Sequence, residues 1–380
     1  MKRRILSVLT ALTLLSPCAA LAGAAEGRYI SAQTQVTKWG QMPLCFTVRG
    51  QRLPEGVGPD SFTIEGEAAG WGAAATHPFS CGVREVVSEA DGWRLYPERF
   101  PDKYFYVRSF TVSCAAYPEL SFTMADIGET VTETADAFTL RESEDHRVRA
   151  WVYRPEATEP LPVVVVFHGY GDTSNLLTYR TAVDWAEPAR QAERPCIVIA
   201  PTIDDMSYIN PGIRSRVFAQ VLAWIDEMAA EGAADPERIY LMGNSFGGMS
   251  SIEMAEQFPE RIAAVMALCP ALNYSQTGMA NLPKMKEVPL FIAQAENDET
   301  IPSSVGRQAA EALEKAGGNV TLKIFSDAEM EAAGAVHGQE QTYSFHHVEL
   351  ALLENDDYAR WLFSFVNGSS RSGNQFRSRV

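Results

Sequence analysis

The chain has 380 residues, about twice an ordinary single-domain length, so two domains are expected. Hydrophobic residues make up 46% and charged residues 21%, an ordinary globular composition with enough apolar side chain for sizeable cores. The formal net charge of -16 argues against a nucleic-acid partner, because phosphate binding needs a basic face; it suits a soluble extracellular protein without selecting a substrate.

The N-terminus reads as a signal peptide over residues 1–22. Lys2, Arg3 and Arg4 form a positive segment, Ile5 to Leu15 is an apolar run too short to span a bilayer, and Pro17 breaks it before an Ala20-Leu21-Ala22 cleavage site. A membrane anchor and a lipoprotein using Cys18 are the alternatives; Pro17 before Cys18 fits the latter poorly. Export is therefore expected, to the periplasm or the medium, with no membrane association after cleavage. Cys45, Cys81, Cys114, Cys196 and Cys269 remain, an odd number. Two of the first three have the chance to pair in an oxidising compartment, whereas Cys196 and Cys269 sit in apolar runs and read as buried. No cysteine or histidine spacing suggests a metal site.

Residues 28–128 read as all-β. Leu44–Val48, Ser61–Ile64, Tyr104–Val112 and Leu120–Met124 are rich in aromatic and β-branched residues, and Gly, Pro and Asp clusters separate them. That spacing predicts a small β-sandwich. Trp39, Trp71 and Trp93 are either core or a carbohydrate platform. From residue 136 to 367 strands and helices alternate, after a hairpin formed by Ala137–Leu140 and Val148–Tyr153. Val163–Phe167, Cys196–Ala200, Ile239–Met242, Ile262–Leu268, Pro289–Ala293 and Val320–Ile324 are the predicted strands. Helices are predicted around Val217–Met228, after Ser245, around Val305–Leu313 and over roughly Asp356 to Val366. Such alternation means a mostly parallel sheet covered on both faces, an α/β fold. Asp204–Arg214 and Asn273–Lys286 are the segments expected to supply any lid, and 368–380 is expected to be a disordered tail.

Four features carry chemistry. Gly243-Asn244-Ser245-Phe246-Gly247 is a G-x-S-x-G pentapeptide between a strand and a helix, which places Ser245 on a sharp turn as a nucleophile. Glycine at 243 and 247 removes the Cβ atoms that such a turn crowds. His168-Gly169-Tyr170-Gly171 follows a strand directly, and the N–H groups of Tyr170 and Phe246 are the expected oxyanion donors. The loop after Pro289–Ala293 offers Glu296, Asp298 and Glu299 as the acid that orients a histidine; Asp298, three residues before Ile301-Pro302, is the one that resemblance to α/β-hydrolases implies. The base must lie downstream, which leaves His337, His346 and His347.

The segment Asp235 to Met249, with Phe258-Pro259-Glu260-Arg261-Ile262-Ala263-Ala264 after it, resembles the α/β-hydrolase superfamily, specifically the polyhydroxybutyrate-depolymerase-like and feruloyl-esterase-like secreted esterases and the predicted peptidases grouped with them. In that family a histidine stands about fifteen residues before a Trp-Leu pair on the last helix; His346 and Trp361-Leu362 fit, which makes His346 the implied base and His347 the alternative. Many relatives have a tryptophan three residues after the histidine, where this chain has Glu349. The all-β segment resembles the immunoglobulin-like domain that precedes some bacterial esterases. The resemblance implies a serine esterase with a Ser245–His346–Asp298 triad, no cofactor and no metal. Its implied substrates are acetyl or feruloyl esters of polysaccharide, polyester oligomers or short acyl esters. A serine peptidase of the same fold and a non-catalytic extracellular binding protein are the alternatives.

Overall fold

A computed structural model describes residues 27–38, 40–69, 75–100, 106–171, 176–177, 180–204, 208–335, 344–353 and 355–367. The expected signal peptide, the expected tail, Trp39, Trp71 and His337 lie outside the described residues.

Among the described residues the first part of the chain forms nine strands: β1 (Tyr29–Thr37), β2 (Gly40–Arg49), β3 (Phe62–Ala69), β4 (His77–Cys81), β5 (Val83–Glu89), β6 (Gly92–Pro97), β7 (Tyr106–Cys114), β8 (Phe122–Thr123) and β9 (Ile127–Thr132). They make a five-stranded sheet in the order β5-β6-β2-β1-β9 and a four-stranded sheet in the order β4-β3-β7-β8. Burial alternates along β1, where Ile30, Ala32, Thr34 and Val36 point inward. That period of two is what a half-buried strand requires. Aromatic rings fill the space between the sheets: Phe46 lies 5.3 Å from Phe110 and 5.4 Å from Phe122, and Phe62 lies 5.4 Å from Trp93. Trp93 is thus core, not platform. The expected strand Leu120–Met124 shrinks to the two residues of β8. Pro118 opens one 3-10 turn before it, and the Asp126 carboxylate captures the Thr123 N–H to open another.

The second part builds an eight-stranded sheet in the order β10-β11-β13-β12-β14-β15-β16-β17. The strands are β10 (Thr139–Glu142), β11 (Arg149–Tyr153), β12 (Leu161–Phe167), β13 (Ile197–Thr202), β14 (Ala234–Asn244), β15 (Ala264–Leu268), β16 (Leu290–Ala295) and β17 (Val320–Phe325). β10 and β11 form the expected hairpin, β11 pairs antiparallel with β13, and the rest of the ladder is parallel. Every residue of β12 is buried. Val164 and Val166 join one core, and Val163, Val165 and Phe167 join the other. Both faces of the sheet are therefore covered, which is why this strand carries no polar alternation. Helices Pro211–Ala230, Phe246–Gln257 and Ser303–Lys315 pack on the second face; Arg180–Ala186 and Asp356–Phe363 pack on the first. The fold is that of an α/β-hydrolase.

The two parts share buried surface. The core that starts at Ile30 and Phe46 runs on through Val183 and Trp185 to Trp361. The Lys38 ammonium donates to the Ala333 carbonyl at 3.0 Å. Among the described residues no disulfide forms: Cys45, Cys81, Cys114, Cys196 and Cys269 are free thiols. Cys81 and Cys114 lie on strands flanking β3, opposite Ile64 and Phe62. Two strand spacings are about 10 Å, beyond the roughly 7 Å that a disulfide bridges. Among the described residues no helix is long and apolar enough to cross a membrane.

Candidate active site

Ser245 follows the last residue of β14 and caps the helix Phe246–Gln257. Its φ of 56° lies in the left-handed region, which costs a non-glycine residue about 1–3 kcal/mol. The surroundings hold it there. The Ser245 amide donates to the Leu268 carbonyl at 2.8 Å, and the Ser245 carbonyl accepts from Ala271 and Met249 at 3.0 Å each. The flanking glycines are sterically required. A Cβ on Gly247 would stand 2.1 Å from the Phe167 carbonyl oxygen, and one on Gly243 would stand 2.5 Å from the Gly247 carbonyl carbon.

Asp298 sits in the loop after β16, its side chain wholly buried. Its Oδ1 accepts from the Thr300 and Ile301 amides, both at 2.8 Å, and its Oδ2 accepts from Gln294 Nε2 at 3.3 Å. His346 comes from the segment before the helix Glu349–Leu352, and its Nδ1 lies 3.0 and 2.9 Å from the two Asp298 oxygens. The imidazole is shielded too, with 12% of the side chain exposed. Burial works against its protonation, but the Cys269 sulfur and the Asp298 carboxylate outweigh it and hold the His346 pKa well above its ordinary 6.5. The rivals are occupied elsewhere. His347 Nδ1 lies 2.8 Å from Glu349 Oε1, Glu296 pairs with Arg307, and Glu299 accepts the Phe345 amide at 3.0 Å, so Glu299 steadies the histidine segment.

The structure thus brings Asp298 and His346 together. It forms no hydrogen bond between the Ser245 hydroxyl and His346 among the described residues. His346 Nε2 lies 4.0 Å from Cys269 Sγ. Contacts of this kind tighten when substrate binds. Cys269 directly follows β15 with φ 37° and its thiol donates to the His346 carbonyl at 3.2 Å. Cys269, Asp298 and His346 offer metal-ligand atoms within 4.8 Å of one another. Their hydrogen bonds already engage both Asp298 oxygens, the imidazole Nδ1 and the thiol.

The loop after β12, which carries Tyr170, is set by His168. Its Nε2 accepts the Ile203 amide at 2.9 Å, so the proton is on Nδ1, which donates to the Gly169 carbonyl at 2.7 Å. The Tyr208 hydroxyl donates to the His168 carbonyl, and Arg214, in a buried bidentate pair with Glu253 at 2.6 and 2.8 Å, donates to the Tyr208 carbonyl. The Phe246 amide is first in its helix, among the N–H groups a helix leaves unpaired. Sequence reasoning missed Gln294, Cys269, Arg214 and Glu253. Gln294 carried a signal: it is a polar residue at the end of the apolar strand β16. The expected lid segments are largely regular. Asn210 caps the helix Pro211–Ala230, and Leu272–Tyr274, Gly278–Asn281 and Leu282–Met285 are short helical turns.

Two family models match parts of the chain. "Phospholipase/Carboxylesterase" matches residues 203–335, which hold Ser245 and Asp298, and "Acetyl xylan esterase (AXE1)" matches residues 90–190, which hold Tyr170. Quorum-quenching protein AidA of Acinetobacter baumannii is 27% identical over 145 residues, 37% of this chain and 46% of that protein. The chain therefore spans less than half the length of that relative. The crystal structure of a thermostable esterase superposes with a TM-score of 0.69 at 19% identity, covering 89% of this chain and 99% of the other. That share exceeds what the second part alone supplies, so the likeness in fold extends into the β-sandwich. The chain thus shares its fold with a known esterase, and each of the two partial family matches is to an esterase model.

Proposed function

We propose that the chain hydrolyses carboxylic esters through Ser245, His346 and Asp298. The observation that carries the reading is the His346–Asp298 pair at 2.9 and 3.0 Å beside a serine held at φ 56° on a glycine-bounded turn. His346 Nε2 takes the hydroxyl proton as Ser245 Oγ attacks the ester carbonyl, and Asp298 keeps the other ring proton on Nδ1. The Tyr170 and Phe246 amides receive the oxyanion, each worth about 3–4 kcal/mol. The tetrahedral adduct collapses, the proton passes from Nε2 to the leaving alcohol, and the acyl group stays on Ser245. Water attacks next, giving its proton to His346, and the carboxylic acid is released with the serine restored. No cofactor or metal takes part.

Acetyl or feruloyl polysaccharide esters, polyester oligomers and short acyl esters are the substrate classes to test; the partial acetyl xylan esterase match favours small acyl groups. Export, an immunoglobulin-like character for the first part and kinship with the depolymerase-like secreted esterases rest on the sequence signals. The test is hydrolysis of p-nitrophenyl esters from acetate to octanoate by the mature protein and by Ser245→Ala. Activity lost in the variant supports the reading. No activity on any ester, with no fluorophosphonate label on Ser245, refutes it.

A further inference from the structure

Three aromatic rings stand in a row beside the nucleophile. Phe246, the residue after Ser245, has the Tyr170 ring at 5.4 Å with a 44° tilt and the Tyr274 ring at 5.5 Å with a 39° tilt. A fourth ring supports the row: Tyr208 lies 5.5 Å from Phe246, is wholly buried and is fixed by its hydroxyl on the His168 carbonyl. The outer two are open to solvent, Tyr170 at 45% and Tyr274 at 61% exposure. They stand among the few large hydrophobic side chains left exposed. The row is also continuous with the reacting centre, because two of its members are the residues whose amides are proposed to hold the oxyanion.

We propose that Tyr170, Phe246 and Tyr274 form a shelf for a flat aromatic or conjugated group carried by the ester, in its acyl or its alcohol half. This rests on the ester-hydrolase reading of Ser245. Tilted rings with centroids near 5.5 Å leave faces and edges for an offset or edge-on partner, the geometry aromatic groups prefer. A ring lodged there binds equally in the ground and transition states, so its loss raises KM and leaves kcat.

The test follows proton release from three esters: ethyl butyrate with no ring, phenyl acetate with the ring in the alcohol, and ethyl cinnamate with the ring in the acyl group. Wild type is compared with Tyr274→Ala and Tyr274→Phe; Tyr274 is exposed and takes no part in the chemistry. In Tyr274→Ala we expect kcat/KM for at least one ring-bearing ester to fall about fivefold through KM, the size of one aromatic contact, with ethyl butyrate within about twofold. Tyr274→Phe retains the wild-type preference. Whichever ring-bearing ester falls identifies the half that occupies the shelf. Equal loss on all three esters overturns the proposal, as does no change on either ring-bearing ester. Wild type inert toward every ester, with Ser245 unlabelled by fluorophosphonate, instead refutes the parent reading.

Discussion

Replacing Asp298 by Asn exchanges one carboxylate oxygen for an NH2 group of nearly the same size, so the effect is one of hydrogen-bond polarity. Oδ1 accepts from two backbone amides at 2.8 Å and from His346 at 3.0 Å, so the asparagine oxygen stays there. The new NH2 then takes the Oδ2 position, 3.3 Å from Gln294 Nε2 and 2.9 Å from His346 Nδ1, both of which are donors in the native protein. The imidazole relieves the conflict by moving its proton to Nε2, and in that tautomer it cannot accept the serine proton. A wrong tautomer of this kind lowers kcat about 10⁴-fold, or roughly 5 kcal/mol. The clash with Gln294 adds about 1–3 kcal/mol of lost stability. Turnover of p-nitrophenyl acetate and a urea melt measure the two effects separately. Glu299→Gln is the control: it keeps an acceptor for the Phe345 amide and is expected to cost less than about tenfold. If Asp298→Asn stays within tenfold of wild type, or Glu299→Gln falls further than Asp298→Asn, the assignment of the acid is wrong.

Three other predictions follow from the packing and the titrating groups. Gly247→Ala forces a Cβ to 2.1 Å from the Phe167 carbonyl oxygen, which is strand backbone and yields little, so it should destabilise by about 3 kcal/mol or more; a urea midpoint equal to wild type would contradict this. His346 must be neutral to act as a base and its pKa is raised, so kcat/KM should climb with pH through a midpoint above 6.5; a midpoint at or below 6.5 would sink that account. Burial, with Glu253 beside it, pushes the Glu256 carboxyl up to about 9 from 4.5. Between those values the unfolded chain ionises while the folded one keeps the proton, so stability falls as pH rises. Glu256→Gln should therefore lose less stability than wild type between pH 5 and pH 8.5, by a few kcal/mol; parallel losses would show that Glu256 does not titrate this way.

The elements legible in the sequence were those whose residues leave the backbone little choice. Val163–Phe167 reads as a buried strand because it has no polar position, and the Ser245 turn reads as an elbow because only glycine fits at 243 and 247. The Asp298 loop was legible by its distance from a strand end. The pair His346-His347 was not separable from spacing alone: the two side chains are divided by their acids, Asp298 for one and Glu349 for the other, and those acids arrive from different parts of the chain. Cys269 escaped because its partner His346 arrives from a distant part of the chain, and Gln294 because its carboxamide folds onto the loop that follows its own strand, where it meets Asp298 and the Ile301 carbonyl. Asp204–Arg214 reads as a loop from its Asn-Pro-Gly, yet Pro211 at a helix start loses no needed N–H, and Asn210 before it is a good cap.

The first and second parts of the chain are joined by more than covalent connection. β9 runs parallel beside β1, so the end of β1 and the end of β9 leave the sandwich in the same direction. There Thr34 and Thr132 share a 2.7 Å hydrogen bond with Gln41 bridging both, and Lys38 holds the carbonyl of Ala333, upstream of the histidine segment. The chain enters the eight-stranded sheet after one short helix, Glu133–Asp136. Cutting the chain there would strip cover from Val183 and Trp185 and remove the Lys38 contact to Ala333. The first part is thus part of the cover of the second part's core, and a fragment that keeps that cover has to begin at or before Tyr29.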